Sequence, residues 1–234
     1  MDIFIIGILL GGAYTLMAMG LQLQYGVARI MNLANGEFLV AGSFAAFWFF
    51  TSAQFSPIFS VLVVAPLAFA VNWLIYKIFM RYLVNRAKSE GQLEVDSILS
   101  TFGQSFILVG LMLAVFGGEY FSYSYLEKPF EILGQPYEQN RIVAFLFSAV
   151  LCCCLYFWLN RTRMGLAFRA VSVNPEAAGL SGINVSRASA LAFALGGAVT
   201  ASGGALLSMF LTFDASVGVI FTMKALVIVI MGGA

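Results

Sequence analysis

Six long apolar stretches, separated by short polar segments, constrain the fold of this chain more than any other feature of its sequence. With their flanks, they match the length of about 20 mainly apolar residues that a helix needs to cross a bilayer. They are residues 3–24, 38–50, 58–79, 98–117, 142–159 and 188–211. A seventh stretch, 217–233, is marginal because Lys224 interrupts it. Unpaired backbone groups are costly in lipid, so the pattern predicts an all-α, polytopic integral membrane protein, with residues 1–234 as one transmembrane domain.

The composition excludes several classes of function. The chain is 61% hydrophobic and 10% charged, whereas about a quarter of the residues in a soluble domain are charged. It has no histidine, which removes the usual zinc sites and the Ser-His and Cys-His nucleophile pairs. Cys152, Cys153 and Cys154 are adjacent and would point in different directions on a helix. No catalytic residue, metal ligand or nucleic-acid partner is therefore predicted.

The distribution of charge predicts an orientation. Lysines and arginines gather in residues 77–96 and 161–187, and two apolar stretches separate these segments. Both segments are thus expected on one side, which the positive-inside rule makes cytoplasmic. The intervening loop, 118–140, is expected to face outward as a partly ordered cap, which also places the N-terminus outside. Its charged side chains are Glu119, Glu127, Lys128, Glu131 and Glu138.

Polar residues cluster in YGVARIMNLANGEFLVAG, between the first two apolar stretches. One interpretation places Asn32, Asn35, Gly36 and Glu37 beside a translocation path, since ionisable groups within a membrane usually face a protein interior or a water-filled cavity. The other makes Asn35 a helix N-cap, Gly36 a close-packing residue and Glu37 a first-turn partner of the helix dipole. Both can hold, because a helix broken within the membrane must lie against protein or a cavity.

Two further groups of residues have alternative interpretations. Thr101 and Gln104, one helical turn apart in LSTFGQSF, could line the same path or serve helix packing. Glycines recur at helical spacing in the first and last long stretches, where small residues allow close backbone approach. Helix packing is the favoured interpretation of these glycines, which are Gly7, Gly11, Gly12, Gly196, Gly197, Gly203 and Gly204.

The segment 161–187 is longer than a simple turn requires. Asn174 and Pro175 predict a helix start, with Asn as the cap, Pro at the first position and Glu176 in the first turn. A short helix over 175–180 is expected, ending at Gly182. Upstream, one helical face is predicted to carry Leu166, Ala167, Ala170 and Val171. A compact, capped helical hairpin of this kind is typical of a docking element.

Three stretches together resemble a known family, the permease subunits of bacterial branched-chain amino acid ABC importers. Their first conserved stretch is similar to GGAYTLMAMGLQLQYGVARIMNLANGEFLVAGSFAAF. Their cytoplasmic loop and the helix after it resemble RTRMGLAFRAVSVNPEAAGLSGINVSRASALAFALGGAVTASGGALL, and a third, Gly-rich stretch resembles KALVIVIMGGA. The family implies a polytopic helical bundle in the bacterial inner membrane.

Within the hairpin, Glu176, Ala177 and Ala178, followed after three residues by Gly182, match the first part of the Glu-Ala-Ala loop through which importer permeases meet their ATPase. The later Ile-x-Leu-Pro part of that loop is absent. The resemblance implies a coupling site made of Arg169, Asn174, Pro175, Glu176, Ala177, Ala178 and Gly182.

Two departures from the family pattern stand out. Asn35 occupies the position where the family usually has a histidine, so a role that needs an ionisable imidazole is lost. Family members continue through further membrane segments after the stretch that ends here at Ala234, so the resemblance implies a C-terminally incomplete permease.

The resemblance implies a transport subunit rather than an enzyme. No Gly-Lys-Ser/Thr phosphate loop is present, so ATP would be bound by partners and this chain would need no cofactor. The implied partners are a second homologous permease, two cytoplasmic ATPase subunits, an extracytoplasmic solute-binding protein and membrane lipid. Leucine, isoleucine or valine is the expected cargo, moved by alternating access. The alternatives are a urea or short-chain amide importer of the same family, a secondary transporter and, least favoured, a membrane-embedded enzyme.

Overall fold

The computed structural model describes residues 2–87, 89–123, 125–126, 129–132 and 135–232. Its helices are α1 (Asp2–Ala28), α2 (Asn35–Ala53), α3 (Pro57–Ile75), α4 (Arg81–Arg86), α5 (Glu90–Phe116), α6 (Gln139–Arg161), α7 (Arg163–Val173), α8 (Pro175–Leu180), α9 (Val185–Leu207) and α10 (Gly218–Met231). A π-helical turn, Tyr76–Met80, joins α3 to α4. Two short antiparallel strands, β1 (Pro129–Ile132) and β2 (Gln135–Glu138), form a hairpin in the loop before α6.

Six helical segments are long and apolar enough to cross a membrane, and they confirm the six predicted spans. They are Phe4–Ala28, Asn35–Ala53, Pro57–Arg86, Gly91–Phe116, Gln139–Arg161 and Val185–Leu207. The marginal seventh stretch forms α10, which has 14 residues. At about 1.5 Å per residue, α10 is shorter than a ~30 Å hydrocarbon core.

Helix α9 is the centre of the bundle and packs against α1, α2 and α3. Within its most apolar window, 78% of the residues are buried, compared with 11% for α6. Small residues make this possible: a Cβ added to Gly196 would collide with the carbonyl oxygen of Gly20 in α1, and one added to Gly204 would collide with that of Leu39 in α2. Gly196 and Gly204 thus have the packing role predicted for them, whereas Gly7 and Gly11 have open space around them.

Both arginine- and lysine-rich segments lie at one end of the bundle, as predicted; we call it the basic end. There the Tyr25 hydroxyl donates to the Glu94 carboxylate (2.9 Å) and the Arg29 guanidinium donates to the Ser172 carbonyl oxygen (3.1 Å). These bonds join the end of α1 to α5 and α7. Lys88 lies outside the described residues.

The opposite end is covered by the loop between α5 and α6, and we call it the aromatic end. Phe121 and Phe213 exchange two backbone hydrogen bonds (2.8 and 3.0 Å), which fix the loop to the chain between α9 and α10. The Tyr123 hydroxyl lies 2.8 Å from the Ser208 hydroxyl, and the Tyr125 hydroxyl 2.6 Å from that of Ser56. These contacts hold the loop over this end of the bundle, and its outward orientation stays a prediction. Glu127 and Lys128, two of the charged residues predicted for this loop, lie outside the described residues.

Candidate functional site

The helical path breaks between α1 and α2, and α2 begins deep inside the bundle. Arg29 adopts a left-handed conformation (φ 55°) that ends α1. The chain then turns back, and the Asn35 side-chain amide donates to the carbonyl oxygen of Met17 (3.3 Å). Met17 lies near the middle of the 27-residue α1, so the first turn of α2 is at about half the height of the bundle.

Asn32 is fully buried and has partners within the protein. Its Nδ2 donates to the Gln24 Oε1 (2.9 Å), while Gln24 donates to the Phe193 carbonyl oxygen (3.1 Å). Its Oδ1 accepts the backbone N–H of Ala34 (3.0 Å). Asn32 therefore links α1 and α9 to the broken segment, and its role in a translocation path stays a prediction.

The N-cap interpretation of Asn35 is wrong. Asn35 is the first helical residue of α2, and Ala34 occupies the cap position without a side-chain cap bond. The Asn35 side chain turns towards the neighbouring helices instead of back to the backbone of its own first turn. Its Oδ1 accepts from the Thr200 hydroxyl in α9 (2.9 Å), so Asn35 bridges α1 and α9.

Hydroxyl groups of α5 and α10 hold the backbone of the broken segment. The Thr101 hydroxyl accepts the N–H of Leu33 (3.0 Å), and the Ser97 hydroxyl accepts that of Met31 (3.2 Å). From the other side, the Thr222 hydroxyl accepts the N–H of Gly36 (2.8 Å). These bonds satisfy backbone groups that would otherwise be unpaired at depth.

The predicted close-packing role of Gly36 is confirmed. A Cβ at Gly36 would overlap the carbonyl oxygen of Gly218, the first residue of α10. A Cβ at Gly218 would in turn overlap the Glu37 carboxylate. The first turn of α10 therefore packs directly against the first turn of α2, at Gly36 and Glu37.

Glu37 combines complete burial with a lack of polar partners in the part of the chain that the structure describes. It is 0% exposed, and neither carboxylate oxygen has a hydrogen-bond partner among the described residues. It lies in the first turn of α2, as predicted, beside the first turn of α10, where two helix dipoles favour negative charge. Because buried polar groups are normally hydrogen-bonded, an unpaired one at such a site indicates a functional position.

Gln104 is separate from this network in the part of the chain that the structure describes. Its amide atoms are buried without a hydrogen-bond partner there, one helical turn along α5 from Thr101. The two residues thus share a helix but differ in environment. Thr101 hydrogen-bonds to the backbone of the broken segment, whereas the Gln104 amide has no hydrogen-bond partner among the described residues.

The predicted hairpin is present, with the predicted caps. The Asn174 side chain accepts the Ala177 N–H (3.0 Å) at the start of α8. Gly182 has φ +83°, and the Ile183 N–H reaches back to the Ala178 carbonyl oxygen (3.1 Å). This is the Schellman end that a glycine in the left-handed region allows.

The faces of the hairpin differ from the prediction in two places. Ala178 is buried with Phe168 and Val171, so of the two adjacent alanines only Ala177 is exposed. In α7 the buried positions are Gly165, Phe168 and Val171, while Leu166 is exposed. The large Phe168 ring packs against Trp158 of α6 (5.7 Å between centroids), which turns the buried face of α7 towards that ring.

The exposed tip of the hairpin carries apolar residues that sequence reasoning missed. Val173 is 83% exposed and Leu180 is 92% exposed, and Glu176 and Arg169 are exposed near them. A cavity of about 600 Å³ lies between this tip and the α4–α5 connection, lined by Val173, Asn174, Pro175 and Glu176 on one side and Val84, Ala87, Ser89 and Leu93 on the other.

Comparison with known proteins gives one family and several relatives. A sequence profile described as the permease component of branched-chain amino acid transport systems matches residues 3–234. The high-affinity branched-chain amino acid transport permease LivH of Escherichia coli is 26% identical over 97% of this chain and 77% of its own length. The corresponding BraD of Pseudomonas aeruginosa is 27% identical over the same shares. The fructose import permease FrcC of Rhizobium meliloti is 34% identical over 36% of this chain and 24% of its own. No solved structure matches significantly.

Proposed function

We propose that this chain, which belongs to the family of permease components of branched-chain amino acid transport systems, is the membrane-spanning subunit of an ATP-driven importer. Its cargo would be a branched-chain or related small amino acid. The basic end would face the cytoplasm and the N-terminus the outside. The complete transporter would also contain two ATPase subunits, a second permease and an extracytoplasmic binding protein. ATP would be bound by the ATPase subunits.

The tip of the α7–α8 hairpin is the proposed ATPase contact. It combines a rigid capped helix, an exposed charged residue, Glu176, and two exposed apolar side chains, Val173 and Leu180. The adjacent 600 Å³ cavity offers a concave surface beside these convex residues. This combination suits a partner that binds the hairpin tightly and displaces it.

One observation carries the proposal that the hairpin drives transport: the bond from Arg29 to the Ser172 carbonyl oxygen (3.1 Å). Ser172 is in the last turn of α7, and Arg29 is the first residue of the broken segment. A displacement of the hairpin would therefore act directly on the segment that leads to Glu37. The unpaired Glu37 carboxylate is the proposed polar contact of the path, suited to the ammonium group of a zwitterionic solute.

The test uses proteoliposomes that contain all the proposed partners, ATP and labelled leucine. Glu176→Lys reverses the charge at the tip, so we expect ATP hydrolysis to continue while uptake falls, with the complex still assembled. Glu119→Lys makes the same change at the aromatic end and serves as the control, with the ratio of ATP hydrolysed to leucine transported unchanged. An unchanged ratio for Glu176→Lys would exclude this contact.

The same vesicles separate the alternatives. Uptake that depends on an ion gradient and does not depend on ATP would indicate a secondary transporter. If urea, a short-chain amide or fructose inhibits the uptake of labelled leucine and valine does not, the proposal of an importer stands but its proposed cargo is wrong.

A further inference from the structure

A second cavity opens at the basic end, away from the broken segment and the hairpin. It has a volume of about 620 Å³ and lies between the end of the α3–α4 helix and the first turns of α9. This is within the range of about 300–1,000 Å³ that is typical of ligand pockets. Its α9 lining includes Arg187 and Ala190, whereas Ala188 and Ala192 of the same helix pack towards the hairpin.

The cavity is positively charged. Lys77, Arg81 and Arg187 line it, and no acidic side chain does. Within the described part of the chain the ion pair found is Arg141–Glu138, at the start of α6, so no carboxylate there neutralises these three cations. Three cations around one concave surface favour an anionic ligand.

The walls of the cavity indicate that this anion is attached to something apolar. Trp73, 40% exposed, lies beside Lys77, with the ammonium 5.0 Å from the ring centroid. Ala190 and Leu191 add apolar surface. Tryptophan with a neighbouring cation is typical of the membrane–water interface.

The position of the cavity along its helix agrees with this. Leu74 and Ile78 are exposed on the same turns of the α3–α4 helix, in the segment Pro57–Arg86 that is long enough to span the membrane. The cations thus follow directly on an apolar surface, the order of residues that is typical of a membrane–water interface.

We propose that this cavity binds the phosphate headgroup of an anionic phospholipid of the surrounding membrane, with the acyl chains along the exposed apolar side chains of α3. Basic pockets between transmembrane helices are a recognised means of binding such headgroups. The lipid would join the end of the α3–α4 helix to the start of α9, the central helix. The proposal does not depend on the solute or on the ATPase.

The experiment measures lipid binding to the purified full chain in detergent by native mass spectrometry, with phosphatidylglycerol or phosphatidylcholine added. We expect tighter binding of phosphatidylglycerol. A basic side chain near a lipid surface contributes about 1 kcal/mol, or about fivefold in affinity. The variant Lys77→Gln/Arg81→Gln/Arg187→Gln should therefore lose phosphatidylglycerol affinity on the order of 100-fold.

A matched control removes the same charge from the same end. Arg86→Gln/Arg161→Gln/Arg163→Gln changes three exposed arginines outside the cavity and should keep wild-type affinity. Should the first triple variant fail to fold, Arg187→Gln alone is expected to lose affinity about fivefold.

Four results would overturn the proposal. These are equal binding of the two lipids, an equal loss in the control variant, full displacement of phosphatidylglycerol by equimolar inorganic phosphate, and displacement by the ATPase subunit. The third would assign the cavity to a soluble anion, and the fourth to a protein partner.

Discussion

The aromatic end and the broken segment are both tightly closed, but by different forces. At the aromatic end Phe44 stacks on Phe116 (4.2 Å between centroids) and meets Phe213 and Phe121 edge-on (5.1 and 5.4 Å). Burial raises the pKa of Tyr123 to about 12, so its hydroxyl stays protonated beside Ser208. Around the broken segment, side-chain amides, hydroxyls and glycines take the place of rings.

The difference follows from the solvent at each depth. The loop rings Phe121 and Phe213 leave water when they pack at the end of the bundle, so burial itself stabilises their contacts with Phe44. A side chain at half the height of the bundle would be surrounded by lipid before the helices pack. Its transfer from lipid to protein gains no hydrophobic free energy. Close backbone approach at Gly36 and hydrogen bonds such as Thr200–Asn35 must hold the helices there. This contrast predicts different sensitivities to mutation.

Phe44→Ala should cause the largest loss. Removing a fully packed ring leaves a cavity beside the three rings that contact it, and such changes typically cost about 3–5 kcal/mol. The measurement is the free energy of unfolding in mixed micelles, followed by circular dichroism. Phe106→Ala, at an exposed position of α5, is the control and should change stability little. Equal effects would mean that the aromatic end is not a packed core.

Gly36→Ala should come next. The new Cβ meets the Gly218 carbonyl oxygen, and backbone cannot move away as a flexible side chain can. Overpacking of this kind costs about 1–3 kcal/mol. Gly110→Ala, where a Cβ meets nothing within 4 Å, should be neutral or slightly stabilising, because alanine favours a helix. A neutral Gly36→Ala in the same unfolding assay would argue against the close contact of α2 with α10.

Thr200→Val should have a smaller effect. It removes the hydrogen bond to Asn35 and keeps the shape of the side chain. Hydrogen bonds between membrane helices contribute on the order of 1 kcal/mol, so the free energy of unfolding should fall by that amount. Thr51→Val is the matched control, because the described partners of its hydroxyl are carbonyl oxygens of its own helix. A double variant with Asn35→Ala should lose no more than the sum of the two single losses, and less if the pair is coupled.

Glu37→Gln should change stability least and transport most. The amide keeps the shape of the carboxyl group but cannot carry its charge, and no hydrogen bond to a described residue is lost. Replacing a buried carboxyl group that has no hydrogen-bond partner among the described residues removes no stabilising contact, so unfolding should be unchanged or need more denaturant. Most ATP-dependent leucine uptake should be lost. Normal uptake would leave Glu37 with its first-turn role alone.

The helices that the sequence predicts best are those whose signal is local. Apolar length defined all six spans, and the Asn174-Pro175 start and Gly182 end of α8 follow from side chains within a few residues. The sequence predicted the buried face of α7 less accurately, because the burial of Phe168 depends on its contact with Trp158 in another helix.

The partners of the broken segment could not be predicted from the sequence. Thr200 and Thr222 bond to residues 165 and 186 positions away, and no local pattern encodes such a pairing. A signal did exist: both are polar residues within apolar helices, where a hydroxyl needs a partner. The same long-range bonds explain why Asn35 is not a cap.

Apolar length and charge asymmetry, both local quantities, determined that this chain spans a membrane and which segments share an end. The sequence also placed Asn32, Gly36 and Glu37 at an interruption between helices. Only the tertiary structure decided that α2 starts at half height, that α10 meets it there and that Glu37 has no hydrogen-bond partner among the described residues. The physical reason is that helix formation uses hydrogen bonds within one segment, whereas the depth of a broken helix is set by distant groups that pair only when the bundle has assembled.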